Sequence, residues 1–564
     1  MVGAPVMERS GQTSPPSDCP VPASRIARLR QAASARWSAQ SERRRRGLEG
    51  LAVVAALATW LVPIALQRLV DGDEGYLLMA SRLVSEGLLP YRDFFLPQGP
   101  VLPAVFGACF RLFGRSWYGA RVLAVLIAVA TGALVYCETR AATRRWWAAG
   151  FATALYAASG ATIGWLTIVK GYGLAAVWMM AALFLVGMAV RRGGDRGAAG
   201  LSMLAGAGAL LGLAASTRLY TLAVAPALAM GLVARPRDRR LLARRLGAFA
   251  LGCVVGLLPL LLGYAVAREA FVFDTIRFHA VREFGQDSLF GSPSAKLPIV
   301  LKALGFHGEA SYGDRQLMGL VLVAVFAFLA RLGLGKLGAS SRSKTGRTSG
   351  TSTAGWAWLA LLAASVLPNP FQPQYFCLLV PFLAVEGGLL LVALLRARPP
   401  RLEGWWPRLV VAGACLYLTY HAAVGWHERD RFLHTGEGVP GVESSERAVR
   451  WRLATIAAVA RAIDAQRISP AGSWWPGYLV STRASLPVTL ANDFGLRAAE
   501  TLPLDTRRKL HLVTSEEIGD MVRQRTPRLF VAGNWAAHPY AAWLPAYGYR
   551  LRQTIENVRL WVAE

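Results

Sequence analysis

Acidic residues are scarce in this 564-residue chain: 34 Asp and Glu face 62 Lys and Arg, and charged residues of both signs make up only 17%. Soluble domains carry about a quarter charged residues. The shortage argues against a string of soluble domains, which the length alone would allow. Cysteine is also scarce. Six residues, at positions 19, 109, 137, 253, 377 and 415, lie mostly in or beside apolar stretches and none falls in the polar C-terminal region. Their spacing suits neither a metal site nor a disulfide framework, which leaves packing as their role. The seven histidines form no HxxxH pair, and the spacing of His421 and His427 puts them on different helix faces. A dedicated His/Cys metal site is excluded on that count.

What the chain does have is apolar sequence, 54% of it, gathered in repeated blocks. A block of roughly 20 residues is what a helix needs to cross a hydrocarbon core about 30 Å thick. Eleven spans are expected, near 48–70, 119–139, 146–166, 172–190, 198–216, 219–234, 246–267, 316–335, 354–368, 376–395 and 407–426. The formal charge of +28 invites a nucleic-acid reading, but its distribution answers otherwise. Arginines cluster in alternate connections, among them "ERRRR" (42–46), "RAATRR" (140–145), "RPRDRRLLARR" (235–245) and "RARPPR" (396–401). The intervening connections "TIVKGYG" (167–173), "STRLY" (216–220) and "LPNPFQPQYF" (367–376) hold two basic residues between them. Charge alternating from loop to loop is the positive-inside pattern. The basicity reports topology, and no nucleic-acid partner is expected.

Residues 1–47, rich in Pro, Ser and Arg, read as a disordered cytoplasmic tail with no cleaved signal peptide, and the first apolar block reads as a signal anchor. The membrane domain spans 48–426. With the N-terminus inside, the loops 71–118 and 268–315 fall outside, as does everything from 427 to 564. That last region mixes short β-like runs ("GYLVST", "RLFVAGN", "VRLWVAE") with helical stretches such as 446–466, and reads as a small extracytoplasmic α/β domain. It has no GxGxxG or P-loop, so nucleotide binding there is unsupported.

The first outer loop opens on "VDGDEGY", three carboxylates directly against the end of an apolar block. From Asp73 to Glu86 the pattern is helical, with Tyr76, Leu77, Ala80, Leu83 and Val84 on one side, Gly87 placed to end the helix and Pro90 following. The expectation is an amphipathic helix along the outer bilayer face. Asp71 and Glu74 have the spacing of a capping box. Asp73 or Glu74 at the membrane–water boundary can instead serve as a general base, or help hold a divalent cation on a phosphate leaving group. The two readings are compatible if Asp71 caps and Asp73 acts.

An Asp-Glu pair after the first span, then "LVSEGLLPYRDFFLPQGP", then "LFGRSWYGARVLAVL" at the second span, resembles the GT-C superfamily of polyprenyl-phosphate-sugar-dependent glycosyltransferases. The similarity is to the branch of the protein O-mannosyltransferases and the lipid A aminoarabinose transferase (glycosyltransferase family 39-like). It covers residues 50–135, with weaker echoes in "GLAASTRLYTLAVAPAL" (212–228) and "PQYFCLLVPFLAV" (373–385).

The resemblance implies an all-α polytopic membrane protein of the bacterial cytoplasmic membrane, with Asp73 as catalytic base and Glu74 as its partner. The donor would be a sugar on a polyprenyl phosphate, and the acceptor a lipid, glycan or protein hydroxyl. A divalent cation (Mg or Mn) on Asp73 and Glu74 is one way to meet the leaving phosphate. Arg92, Lys170, Arg218 and Tyr375 are the donor-phosphate candidates, the last beside Gln374. Each also has a plainer reading. Arg92 can pair with Asp93 at the surface, Lys170 and Arg218 can snorkel to the interface, and Tyr375 can sit in an aromatic belt. Lys170 departs from relatives that carry an acidic residue there, which removes any second carboxylate at that position. Two other functions compete with the transferase: a transporter or flippase of a lipid-linked substrate, and an inactive GT-C-like scaffold.

Overall fold

The computed structural model describes residues 25–564 apart from 193–196, 234–237, 282–292, 307–310, 338–352, 369–370, 398, 400–401, 403, 437–447 and 534–539. Residues up to Ala52 form one compact unit and the rest of the chain a second. The described part of the first unit is helical. Helix α1 runs Arg25–Gln67, so residues 25–47 are helix where composition suggested a disordered tail. Their Ala, Arg, Gln and Glu residues are good helix formers, and Arg45–Glu49 and Arg46–Glu42 pair one turn apart.

Among the described residues, eight helices are long and apolar enough to cross a membrane: Arg44–Gln67, Trp117–Thr143, Gly171–Arg191, Ala198–Thr217, Arg239–Val266, Gly313–Arg331, Pro373–Arg396 and Trp406–Thr435. Each overlaps an expected span. The other three expected spans are shorter pieces. The third block splits into Trp146–Ala157 and a π turn at Thr162–Leu166, the sixth spans Leu219–Val233 and the ninth Thr353–Val366. Two ion pairs join charges within the spanning helices. Arg191 meets Glu138 through two 2.8 Å bonds, and Arg331 meets Glu386, which relieves the cost of carrying them in hydrocarbon.

The first loop folds into helices α2 (Gly72–Ser85) and α3 (Val101–Phe113), and α4 (Trp117–Thr143) follows. The sequence reading found α2 to within a residue or two but missed α3, whose apolar face is short. It also misjudged the setting of α2. Eleven of its fourteen residues are buried, so it is a core element rather than a helix resting on a surface. Tyr76, Leu77, Leu83, Phe106 and Phe110 share one apolar core with Trp451, Trp475, Tyr478 and Leu479 from the far end of the chain. A second cluster fills the interior of the membrane-spanning helices.

The C-terminal region carries a four-stranded sheet of β1 (Ala471–Ser473), β2 (Leu529–Ala532), β3 (Tyr549–Ile555) and β4 (Val558–Ala563), in the order β1-β2-β4-β3. Strands β1 and β2 are parallel and the other pairs antiparallel. "RLFVAGN" and "VRLWVAE" are strands as expected. "GYLVST" is not: Pro476 opens a 3-10 turn over Pro476–Leu479, and its carbonyls serve the first loop.

In the described part of the loop 268–315, Asp274 is buried in a π turn (Phe273–Arg277) and accepts the Leu96 N–H at 2.9 Å. This loop thus braces the loop 71–118. The stretch "REFGQD" of this segment lies outside the described residues.

Candidate active site

Helix α2 begins with the capping box that the spacing predicts. Asp71 Oδ1 accepts the Asp73 N–H at 3.0 Å, and Glu74 Oε2 accepts the Asp71 N–H at 2.9 Å. The three carboxylates then part company. Glu74 is fully buried and held by Arg121 of α4, with Nε at 2.7 Å from Oε1 and the second guanidinium nitrogen at 2.5 Å from Oε2. The Val169 N–H donates to Glu74 Oε1 at 3.0 Å. Every oxygen of Glu74 is thereby committed to structure.

Asp71 and Asp73 meet at Lys170 instead. Its ammonium lies 2.8 Å from Asp71 Oδ1 and 2.8 Å from Asp73 Oδ2. Asp71 and Lys170 have no exposed side-chain surface, whereas Asp73 keeps 24% of its own. Trp165 covers the ammonium at 4.9 Å, and Gln374 accepts from it at 3.4 Å. Burial alone would pull the Lys170 ammonium down, but the two carboxylates more than reverse that, and its pKa stands above the ordinary lysine value. Burial pushes the Asp71 carboxyl up, against the pull of Lys170. Lys170 is therefore neither a snorkelling lysine nor a cation facing open solvent.

Asp73 looks into a cleft lined by Tyr76, Leu96, Pro97, Gln98, Asn492 and Phe494, so the C-terminal region supplies part of its wall. The Tyr76 and Phe494 rings lie 4.6 Å apart across it. Next to Lys170, Gly171 allows a close approach by Arg218, since a Cβ there would stand 2.9 Å from Arg218 Nε. The Arg218 guanidinium lies 4.2 Å over the Tyr172 ring, and Tyr375 is 6.2 Å from Tyr172 and 5.9 Å from Tyr220. Among the described residues, Arg218 Nε and the Tyr172 and Tyr220 hydroxyls are buried without a hydrogen-bond partner. Orphaned donors converging around a guanidinium suit an anionic group with several acceptor oxygens.

Of the candidates named from sequence, Asp71, Asp73, Lys170, Arg218 and Tyr375 come together. Arg92 does not: it pairs with its neighbour Asp93 at 2.8 Å, half exposed, and Asp93 also accepts the Leu89 N–H. The plain reading of that pair is the one observed. Sequence reasoning missed Arg121, Tyr172, Tyr220 and Asp274. Arg121 carried a signal, a lone arginine in the entry to an apolar span. It also missed the clamp on α2, in which Trp475 donates its indole N–H to the Gly72 carbonyl at 2.9 Å and Arg82 donates to the Leu479 and Ala484 carbonyls.

No protein-family model and no curated protein matches the sequence. The fold does match solved structures. ArnT from Cupriavidus metallidurans bound to undecaprenyl phosphate superposes with a TM-score of 0.57 at 16% identity, covering 91% of this chain and 97% of that one. Its apo form gives 0.57 at 17% identity over 92% and 98%. The S. cerevisiae Pmt1-Pmt2 O-mannosyltransferase complex bound to the sugar donor aligns over 39% of this chain and 34% of its own, with a TM-score of 0.32 that carries no argument. A helical, many-spanning body, matched over nine-tenths of both chains, gives this protein the GT-C fold.

Proposed function

We propose that the protein is an inverting glycosyltransferase that moves a sugar from a polyprenyl-phosphate donor to an acceptor hydroxyl at the outer face of the membrane. One observation carries the reading. Of the three carboxylates at the start of α2, Asp73 alone keeps an exposed edge, and Asp73 lines a cleft.

The acceptor hydroxyl enters the cleft and gives its proton to Asp73 as its oxygen attacks the anomeric carbon. The bond from that carbon to the phosphate oxygen breaks in the same step, and the lipid phosphate leaves on the opposite side. Arg218, permanently charged, and the Tyr172 and Tyr220 hydroxyls receive the leaving phosphate, with the Tyr375 ring as packing partner. Asp71 and Glu74 shape the helix start. That the ArnT structure holds undecaprenyl phosphate supports a lipid-linked donor.

Replacing Asp73 with Asn tests the reading. Sugar transfer from a polyprenyl-phosphate donor should fall by about 10²–10⁴, the usual worth of a general base. Thermal unfolding of the purified protein should stay near wild type. Full activity in that variant would remove Asp73 from the chemistry.

A lipid-linked substrate transporter is the second reading, favoured by one feature: the third span is interrupted at residues 158–159. Reconstituted vesicles separate the two. Movement of a lipid-linked sugar across the bilayer without a new glycosidic bond would favour transport.

A further inference from the structure

We propose that the Lys170 ammonium is a resident counter-cation, filling the space between Asp71 and Asp73 that a divalent ion would take, so that the protein works without a divalent metal. The donor set argues for it. Magnesium wants octahedral oxygen ligands at about 2.0–2.1 Å, and manganese likewise prefers hard oxygen donors. Here the two carboxylates that approach one another each spend an oxygen on an ammonium at 2.8 Å. The third carboxylate, Glu74, is consumed by Arg121, Val169 and the Asp71 amide. Among the described residues no three His, Cys, Asp or Glu side chains gather as metal ligands.

Lys170 is also not free to swing aside. Its side chain is fully buried beneath Trp165, and Gln374 takes a further contact with the ammonium. Asp71 Oδ2 has no partner among the described residues, but one buried oxygen does not make a cation site. In this arrangement Lys170 acts as a positioning residue. It holds one oxygen of Asp73, which lines the cleft.

The activity consequence rests on the transferase reading; the metal consequence does not. Mn²⁺ is titrated into the full-length protein in detergent and followed by electron paramagnetic resonance. Wild type should take up no Mn²⁺ that depends on Asp73. Lys170→Glu, which supplies a third carboxylate, should bind one Mn²⁺ per chain and lose it when Asp73→Asn is added. Sugar transfer by wild type should be unchanged by EDTA. A wild-type Mn²⁺ site that Asp73→Asn abolishes would overturn the proposal, as would EDTA-sensitive transfer restored by Mn²⁺ or Mg²⁺. If Lys170→Glu does not fold, the wild-type titration decides alone. If wild type transfers no sugar with or without metal, the transferase reading fails while the resonance measurement still judges the counter-cation.

Discussion

At the scale of single residues, three neighbouring carboxylates divide their work. Asp71 and Glu74 close the helix cap, and the residue that capping does not consume is the one facing the cleft. Glu74 and Arg121 form a fully buried pair, and breaking such a pair strands a charge in a dry site. Glu74→Gln should therefore destabilise the protein by about 3–5 kcal/mol. A thermal midpoint in detergent equal to wild type would contradict this. Arg218 has the opposite profile. Its Nε has no hydrogen-bond partner among the described residues and its guanidinium lies over the Tyr172 ring, so Arg218→Ala should cost far less stability than Glu74→Gln. It should raise the KM for the lipid-phosphate donor by about 10–10², the worth of one charge-assisted hydrogen bond. An unchanged KM would exclude Arg218 from the phosphate site.

At the scale of elements, the loops 71–118 and 268–315 are tied by Asp274, whose carboxyl oxygen accepts the Leu96 N–H. Burial lifts the Asp274 pKa well above the ordinary range, and that hydrogen bond only partly offsets the lift. A raised folded pKa means that this group's stabilisation is full below its unfolded value of about 4. It fades as pH rises through the folded value. The apparent melting temperature of wild type should thus fall relative to Asp274→Asn as pH goes from about 5 to 8. Asp274→Ala, lacking the acceptor for Leu96, should melt lower than Asp274→Asn throughout. Parallel pH profiles for wild type and Asp274→Asn would count against a protonated, buried Asp274.

This scale also shows what the sequence made legible. Helix α2, its cap and the eight long spans were readable because local spacing and hydropathy dictate them. Lys170 was readable as an oddity but not as a partner of Asp71 and Asp73, because that contact joins residues a hundred positions apart. The strand reading of "GYLVST" failed for a related reason. Its apolar residues fit the period, but Trp475 just before it is recruited to hold α2 and Pro476 opens a 3-10 turn.

At the scale of the whole molecule, the C-terminal region is part of the site. Trp475, Leu479 and Ala484 bond to α2, Gly477 accepts from Trp117, and Asn492 and Phe494 line the cleft. A chain ending at Thr435 should lose sugar transfer although Asp73, Lys170 and Arg218 all remain. Limited proteolysis should then cut the first loop, which is protected in the full chain. Activity retained by that truncation would show that the C-terminal region only decorates the fold.

The clamp on α2 also carries a consequence for the order of assembly. The bonds from Trp475 to Gly72 and from Arg82 to Leu479 and Ala484 span about four hundred residues. Contacts of that sequence separation form late, because long loops must close first. The helix bearing Asp73 is synthesised near the beginning of the chain but is secured by its last quarter. A half-made chain in the membrane thus holds Asp73 in an unfinished cleft, which only the later part of the polypeptide closes.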